Sequence, residues 1–92
     1  MTPEEAAAKG GDPFLTIAKE IRNERRSQDQ TWGEQNHTPE QWMVILTEEV
    51  GEACRAVLQR RSRNYRTELI QVAAVAQAAI ESYERQGGAF DV

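Results

Sequence analysis

An all-α fold follows from three observations on the sequence. Apolar residues recur at helical spacing in three separate stretches, strand-like alternation is absent throughout, and capping and glycine signals punctuate the stretches. Each predicted helix is amphipathic, and neighbours joined by a short link lie antiparallel. About three helices per chain cannot close a four-helix bundle alone. The expectation is a homodimer or a dimer of dimers, its four-helix-bundle-type core completed by oligomerisation and its sites partly built across the interface. At 92 residues the chain makes one small domain with a modest core, which points the same way.

Residues 1–12 read as a flexible N-terminal arm, with Pro3, a charged alanine run and Gly10-Gly11, and residues 13–92 as a single helical domain. Asp12 is a natural N-cap and Pro13 suits the first helical position, so the first helix runs from Pro13 to about Thr31. Phe14, Ala18 and Ile21 form its apolar stripe. Continuing that stripe brings Arg25, Gln28 and Trp32 onto the same face, where polar groups are costly unless they meet partners. Two readings stand: the helix end protrudes past the core, or this face lines a polar pocket with Trp32 as a stacking surface.

A turn-rich link, Trp32 to His37, breaks at Gly33. Thr38-Pro39-Glu40-Gln41 then has the form of a capping box, and the second helix reaches roughly Arg60. Trp42, Met43, Leu46, Val50, Ala53 and Val57 give it a broad apolar sector. Arg60 to Arg63 is a short basic connector, with Asn64 as a cap for a third helix from Tyr65 to about Arg85. That helix stacks Tyr65, Leu69, Val72, Val75, Ala76, Ala79, Ile80 and Tyr83 on one side. Ile70, Ala73 and Ala74 form a second patch on its outer face, suited to a partner helix. Gly87-Gly88 stops the helix.

Eleven basic and 15 acidic side chains give a net charge of −4, so no basic excess suggests a nucleic-acid polymer as partner. The single cysteine, Cys54, excludes an internal disulfide and fits a reducing compartment. With no membrane-spanning apolar run and no signal-peptide pattern, a cytoplasmic protein without a membrane partner is expected.

The chemistry concentrates in Thr47-Glu48-Glu49-Val50-Gly51-Glu52-Ala53, in mid-helix. Glu49 and Glu52 sit about 60° apart on one face, at the border of the apolar sector. Glu48 points about 100° from Glu49, toward solvent. Carboxylates that close raise each other's pKa unless a cation neutralises them, and oxygen donors at this spacing suit Mg²⁺ or Mn²⁺. On the third helix Glu68 lies at the edge of the stripe, with Gln71 one turn on. Facing helices would thus bring three carboxylates to one cation site. A solvated acidic face, or ion pairs with nearby arginines, are the alternatives.

Glu48-Glu49-Val50-Gly51-Glu52, followed by Glu68-Leu69-Ile70-Gln71, resembles the MazG-like, all-α nucleoside triphosphate pyrophosphohydrolases, whose pattern is Glu-Glu-x-x-Glu and then Glu-x-x-Asp. Arg25-Arg26-Ser27-Gln28 through Trp32-Gly33 is similar to the first helix of small, single-domain members, and the resemblance covers about Ile17 to Arg85. It implies Mg²⁺-dependent hydrolysis of a (deoxy)nucleoside triphosphate to monophosphate and pyrophosphate, with Mn²⁺ as a substitute. It implies Glu49, Glu52, Glu68 and Gln71 as the metal-binding set and Glu48 as the residue that orients or deprotonates water. Arg25, Gln28, Trp32 and Asn36 would contact base or sugar, and Arg61 would steady pyrophosphate. One position departs: Gln71 stands where the pattern has aspartate, and an amide brings no charge. Either it ligates weakly, or it bonds a metal water or the substrate, or the site is degenerate. The favoured reading is a working site with altered metal binding.

Two other classes compete. A degenerate member holding nucleotide without cleaving it, or a helical interaction protein, is favoured by Gln71. A di-iron carboxylate bundle needs Glu-x-x-His, which the chain lacks, since position 52 is Glu and position 71 is Gln.

Overall fold

The structure, a computed structural model, describes residues 2, 11–88 and 90. The flexible arm expected over residues 1–12 therefore lies largely outside the described residues. Three helices form: α1 (Pro13–Trp32), α2 (Pro39–Leu58) and α3 (Ser62–Arg85), with no strand among the described residues. The all-α expectation holds. None of these helices is long and apolar enough to cross a membrane.

The predicted starts of α1 and α2 are realised atom by atom. Asp12 Oδ1 accepts the Phe14 N–H at 2.9 Å. Thr38 and Gln41 form the reciprocal capping box, the Thr38 Oγ1 accepting from the Gln41 N–H and the Gln41 Oε1 from the Thr38 N–H. The start of α3 differs from expectation: the helix begins at Ser62, Arg61 occupies the N-cap without a side-chain cap, and Asn64 lies inside the first turn. The end of α2 differs too, at Leu58 rather than Arg60. The cause is a left-handed turn at Arg60 (φ 56°), with Arg61 N–H bonded to the Ala56 carbonyl and Arg60 N–H to that of Val57. The end of α3 repeats this motif with Gly87 (φ 80°) in the left-handed position.

α3 is the central helix. It packs along α2 and, less extensively, along α1. Trp42 on α2 meets Val75 and Ala78 on α3, with Ile45, Leu46 and Ala79 against them. Ala53, Ala56 and Ala74 complete a small core made largely of alanine. The fully buried Ser82 accepts the His37 N–H at 3.3 Å, and the His37 ring meets Trp42 edge-on at 4.8 Å. His37 thus pins the link to the core, a packing role.

Three expectations about apolar faces are corrected. The stripe of α1 is no core face: the helix has no buried residue, and Phe14 is 76 % exposed. It docks on α3 by polar contacts instead, since Arg25, Glu24 and Glu20 find partners there. The patch of Ile70, Ala73 and Ala74 is not an outer face, because Ala74 is fully buried and Ile70 borders α1 residues. Finally, much of the sector predicted as core on α2 and α3 remains open, including Met43, Val50, Val57, Tyr65 and Leu69.

Candidate functional site

The acidic block occupies the middle of α2. Ala53 and Ala56 are buried there, and Glu49, one turn before Ala53 on the same face, is drawn half out of solvent. Burial pushes the Glu49 carboxyl above the ordinary carboxylate value, and the negative charges of Glu68, Glu52, Glu24 and Glu48 push it further. Each of the three helices thus sends a half-buried carboxylate into one electrostatic neighbourhood: Glu24 from α1, Glu49 from α2 and Glu68 from α3.

Partners separate these carboxylates from the rest. Glu49 and Glu68 accept no hydrogen bond and join no ion pair among the described residues. Glu24 receives only amides, Gln71 Nε2 at 3.1 Å and Gln28 Nε2 at 3.3 Å. Glu52 is exposed, with Arg55 at 3.4 Å, and Glu48 is exposed without a partner among the described residues. Four other carboxylates meet arginine: Glu20 with Arg66 at 2.6 Å, Glu81 and Asp29 with Arg25 at 3.1 Å each, and Glu34 with Arg85 at 3.3 Å. An uncompensated set of oxygen donors is the chemistry that suits a hard divalent cation. No three Asp, Glu, His or Cys side chains among the described residues stand close enough to hold an ion as they are placed.

Sequence reasoning missed Glu24. Its signal was the polar register Glu20, Glu24, Gln28 on one face of α1, at i,i+4 spacing. Glu24 also gives Gln71 a physical role. Its amide donates to a carboxylate, whereas an acid at position 71 would set a further like charge against Glu24.

No family model matches the chain, and no curated protein or solved structure matches it either.

The remaining predicted residues divide. Arg25 and Gln28 come together, Arg25 Nη1 donating to Gln28 Oε1 at 3.3 Å, and both line a polar cavity of about 210 Å³ between α1, Trp42 and α3. Trp32 does not line that cavity and is 69 % exposed, so the stacking surface foreseen there is not formed by this chain alone. Asn36 is held in the link, accepting from Arg85 Nε at 3.0 Å and donating to Glu34 at 3.3 Å. Arg61 is exposed in the α2–α3 turn, apart from both the acidic neighbourhood and this cavity. Glu81, Arg85 and Trp42 line the cavity without having been singled out for it.

Proposed function

We propose that the protein is a MazG-like nucleoside triphosphate pyrophosphohydrolase. It hydrolyses a (deoxy)nucleoside triphosphate to the monophosphate and pyrophosphate with Mg²⁺, or Mn²⁺, in a reducing cytoplasmic compartment. The observation that carries this reading is the uncompensated, half-buried carboxylate set from three helices, in a chain whose other interhelical carboxylates meet arginine.

Glu49, Glu52 and Glu68 would hold the metal, and Glu24 adds a fourth carboxylate beside them. When bound, the ion would neutralise phosphate oxygens and polarise water. Gln71 holds Glu24 in place by its amide. Glu48, exposed one residue before Glu49, is free to orient water or take its proton. The bond that breaks is the anhydride to the leaving pyrophosphate, and water supplies the hydroxyl to one product and a proton to the other. Arg61 would steady an anionic product only from another protomer or after movement of the turn.

The open apolar face of α2 and α3 supports a homodimer. Val50, Val57, Tyr65 and Leu69 border one shallow groove on it, with Met43 and Ile80 on another. An apolar face of that extent in so small a chain is suited to a second copy that completes the four-helix core.

A second reading has one observation in its favour, the engagement of Gln71 by Glu24, which takes position 71 out of a ligand set and suits a protein that binds nucleotide without cleaving it. One experiment separates the two. A panel of ribo- and deoxynucleoside triphosphates is incubated with Mg²⁺ or Mn²⁺, and pyrophosphate is followed beside a Glu49→Gln control. Release by the wild type alone supports the hydrolase. Silence with every triphosphate, relieved by Gln71→Asp, supports the binder.

A further inference from the structure

The central helix α3 is held on its two sides in different ways. Against α2 it shares an apolar core, where Trp42 meets Val75 and Ala78 beside the buried Ala53, Ala56 and Ala74. Against α1 it makes polar contacts: Arg66 with Glu20, Glu81 with Arg25, and Gln71 Nε2 with Glu24 Oε1 at 3.1 Å. No residue of α1 is buried. A close-packed apolar contact resists displacement, whereas polar contacts at the surface exchange for water at small net cost. α1 is therefore the helix that can move while α2 and α3 stay fixed. Arg25, whose side chain is 12 % exposed, limits the shift, but its rotatable stem keeps Glu81 in reach through a small one.

The link supplies a pivot. Gly33 follows α1 at φ 74°, with open space where a Cβ would stand. Just beyond it, Asn36 accepts from Arg85 and the His37 N–H donates to Ser82, which fastens the link to α3. Glu24 lies nine residues before Gly33, or about 14 Å along the helix axis. A swing of about 10° at Gly33 thus carries Glu24 about 2 Å.

The carboxylate set supplies the pull. Glu24 and Glu68 stand near enough to Glu49 for their charges to press on it, yet no three acidic side chains among the described residues can hold an ion as they are placed. Both oxygens of Glu24 rest on neutral amides, Oε1 on Gln71 and Oε2 on Gln28. A doubly charged ion offers a carboxylate more than such amides do.

We infer that binding of a divalent cation swings α1 toward α2, with Glu24 as the closing ligand. Without the ion, the Gln71 amide holds Glu24, and α1 with it, in the open position. The inference rests on the cation reading above for what closes the site, but not for which helix moves.

The test measures the distance between spin labels on α1 and at the end of α2 in the full chain. Lys19→Cys and Gln59→Cys, both at exposed positions, take the labels, and Cys54→Ser removes the native thiol. Dilution with unlabelled chain restricts the reading to one protomer. Mg²⁺, which is diamagnetic, is added to saturation while calorimetry follows its binding. Lys19 lies farther from the pivot than Glu24, so the same swing shortens the distance by about 3 Å or more. With Glu24→Gln the ion-free distance persists at every Mg²⁺ concentration. Mg²⁺ bound with the distance unchanged overturns the inference and leaves the cation site standing, since side-chain rotation alone then gathers the ligands. Shortening that survives Glu24→Gln also overturns it. A chain that binds neither Mg²⁺ nor Mn²⁺ by calorimetry defeats the cation reading and the inference together.

Discussion

The polar seam along α1 has two ends built on opposite principles. Around Arg25 carboxylates meet cations: Glu81 and Asp29 pair with one guanidinium that also bonds Gln28, and Arg85 draws Glu81 and Glu34 into the same network. The other end begins at the preceding residue: Glu24 and Glu68 both press on the charge of Glu49, and the set's only hydrogen-bond donors among the described residues are the amides that reach Glu24. The first end looks after its own stability. The second costs the fold stability, because half-buried like charges repel with no cation paired to them among the described residues. That cost, in a chain whose other interhelical carboxylates meet arginine, is the observation behind the ligand site proposed above.

The largest effect that would sharpen this contrast is on activity. Glu49→Gln and Glu68→Gln should each lower the rate of pyrophosphate release by ~10²-fold or more, the loss of several kcal/mol of charge stabilisation. Glu81→Gln, at the compensated end, should leave the metal dependence of that rate unchanged. Next comes stability. Arg25→Met leaves Asp29 without its cation and Glu81 with only Arg85 at 3.9 Å, and should destabilise the chain by about 2 kcal/mol, read by urea denaturation.

The pH dependence at the carboxylate end follows from Glu49. Glu49 titrates above its ordinary value of 4.5 in the folded chain. Its protonation therefore favours the fold below that value, and this contribution is lost as pH rises through the folded value. Glu49→Gln should accordingly be more stable than wild type at neutral pH without metal, with the advantage shrinking to nothing below about pH 4. Saturating Mg²⁺ should reverse the order at neutral pH by stabilising only the wild type.

Smaller effects lie outside both ends. Arg60→Gly relieves a left-handed residue and should raise stability by about 1 kcal/mol by the same denaturation assay. Arg66→Ala removes an exposed pair with Glu20 and should change stability within error.

The sequence made the helices and two of their caps legible because capping signals are local: Asp12-Pro13 and Thr38-Pro39-Glu40-Gln41 act through neighbours one turn away. The α3 start was misread because no side chain caps it, and helical residues extend back into the basic connector. Apolar stripes were harder to read, since periodicity reports which face is apolar but not what covers it. Hence Phe14 and Leu69 fall on predicted core stripes and are open, while Ala74 falls on a predicted outer patch and is buried. The Glu49–Glu68 relation was visible because both residues sit at stripe borders on helices joined by a short link. Glu24 was not, because α1 docks by polar side chains, so its buried register carries no apolar signature.

The most direct test of the carboxylate set is calorimetric titration of Mn²⁺ into wild type, Glu24→Gln, Glu49→Gln, Glu68→Gln and Glu81→Gln. The account predicts that wild type and Glu81→Gln bind the ion alike and that each of the other three binds it at least ~10-fold more weakly. Equal affinity across all five proteins, or no binding by the wild type with triphosphate present, would contradict it.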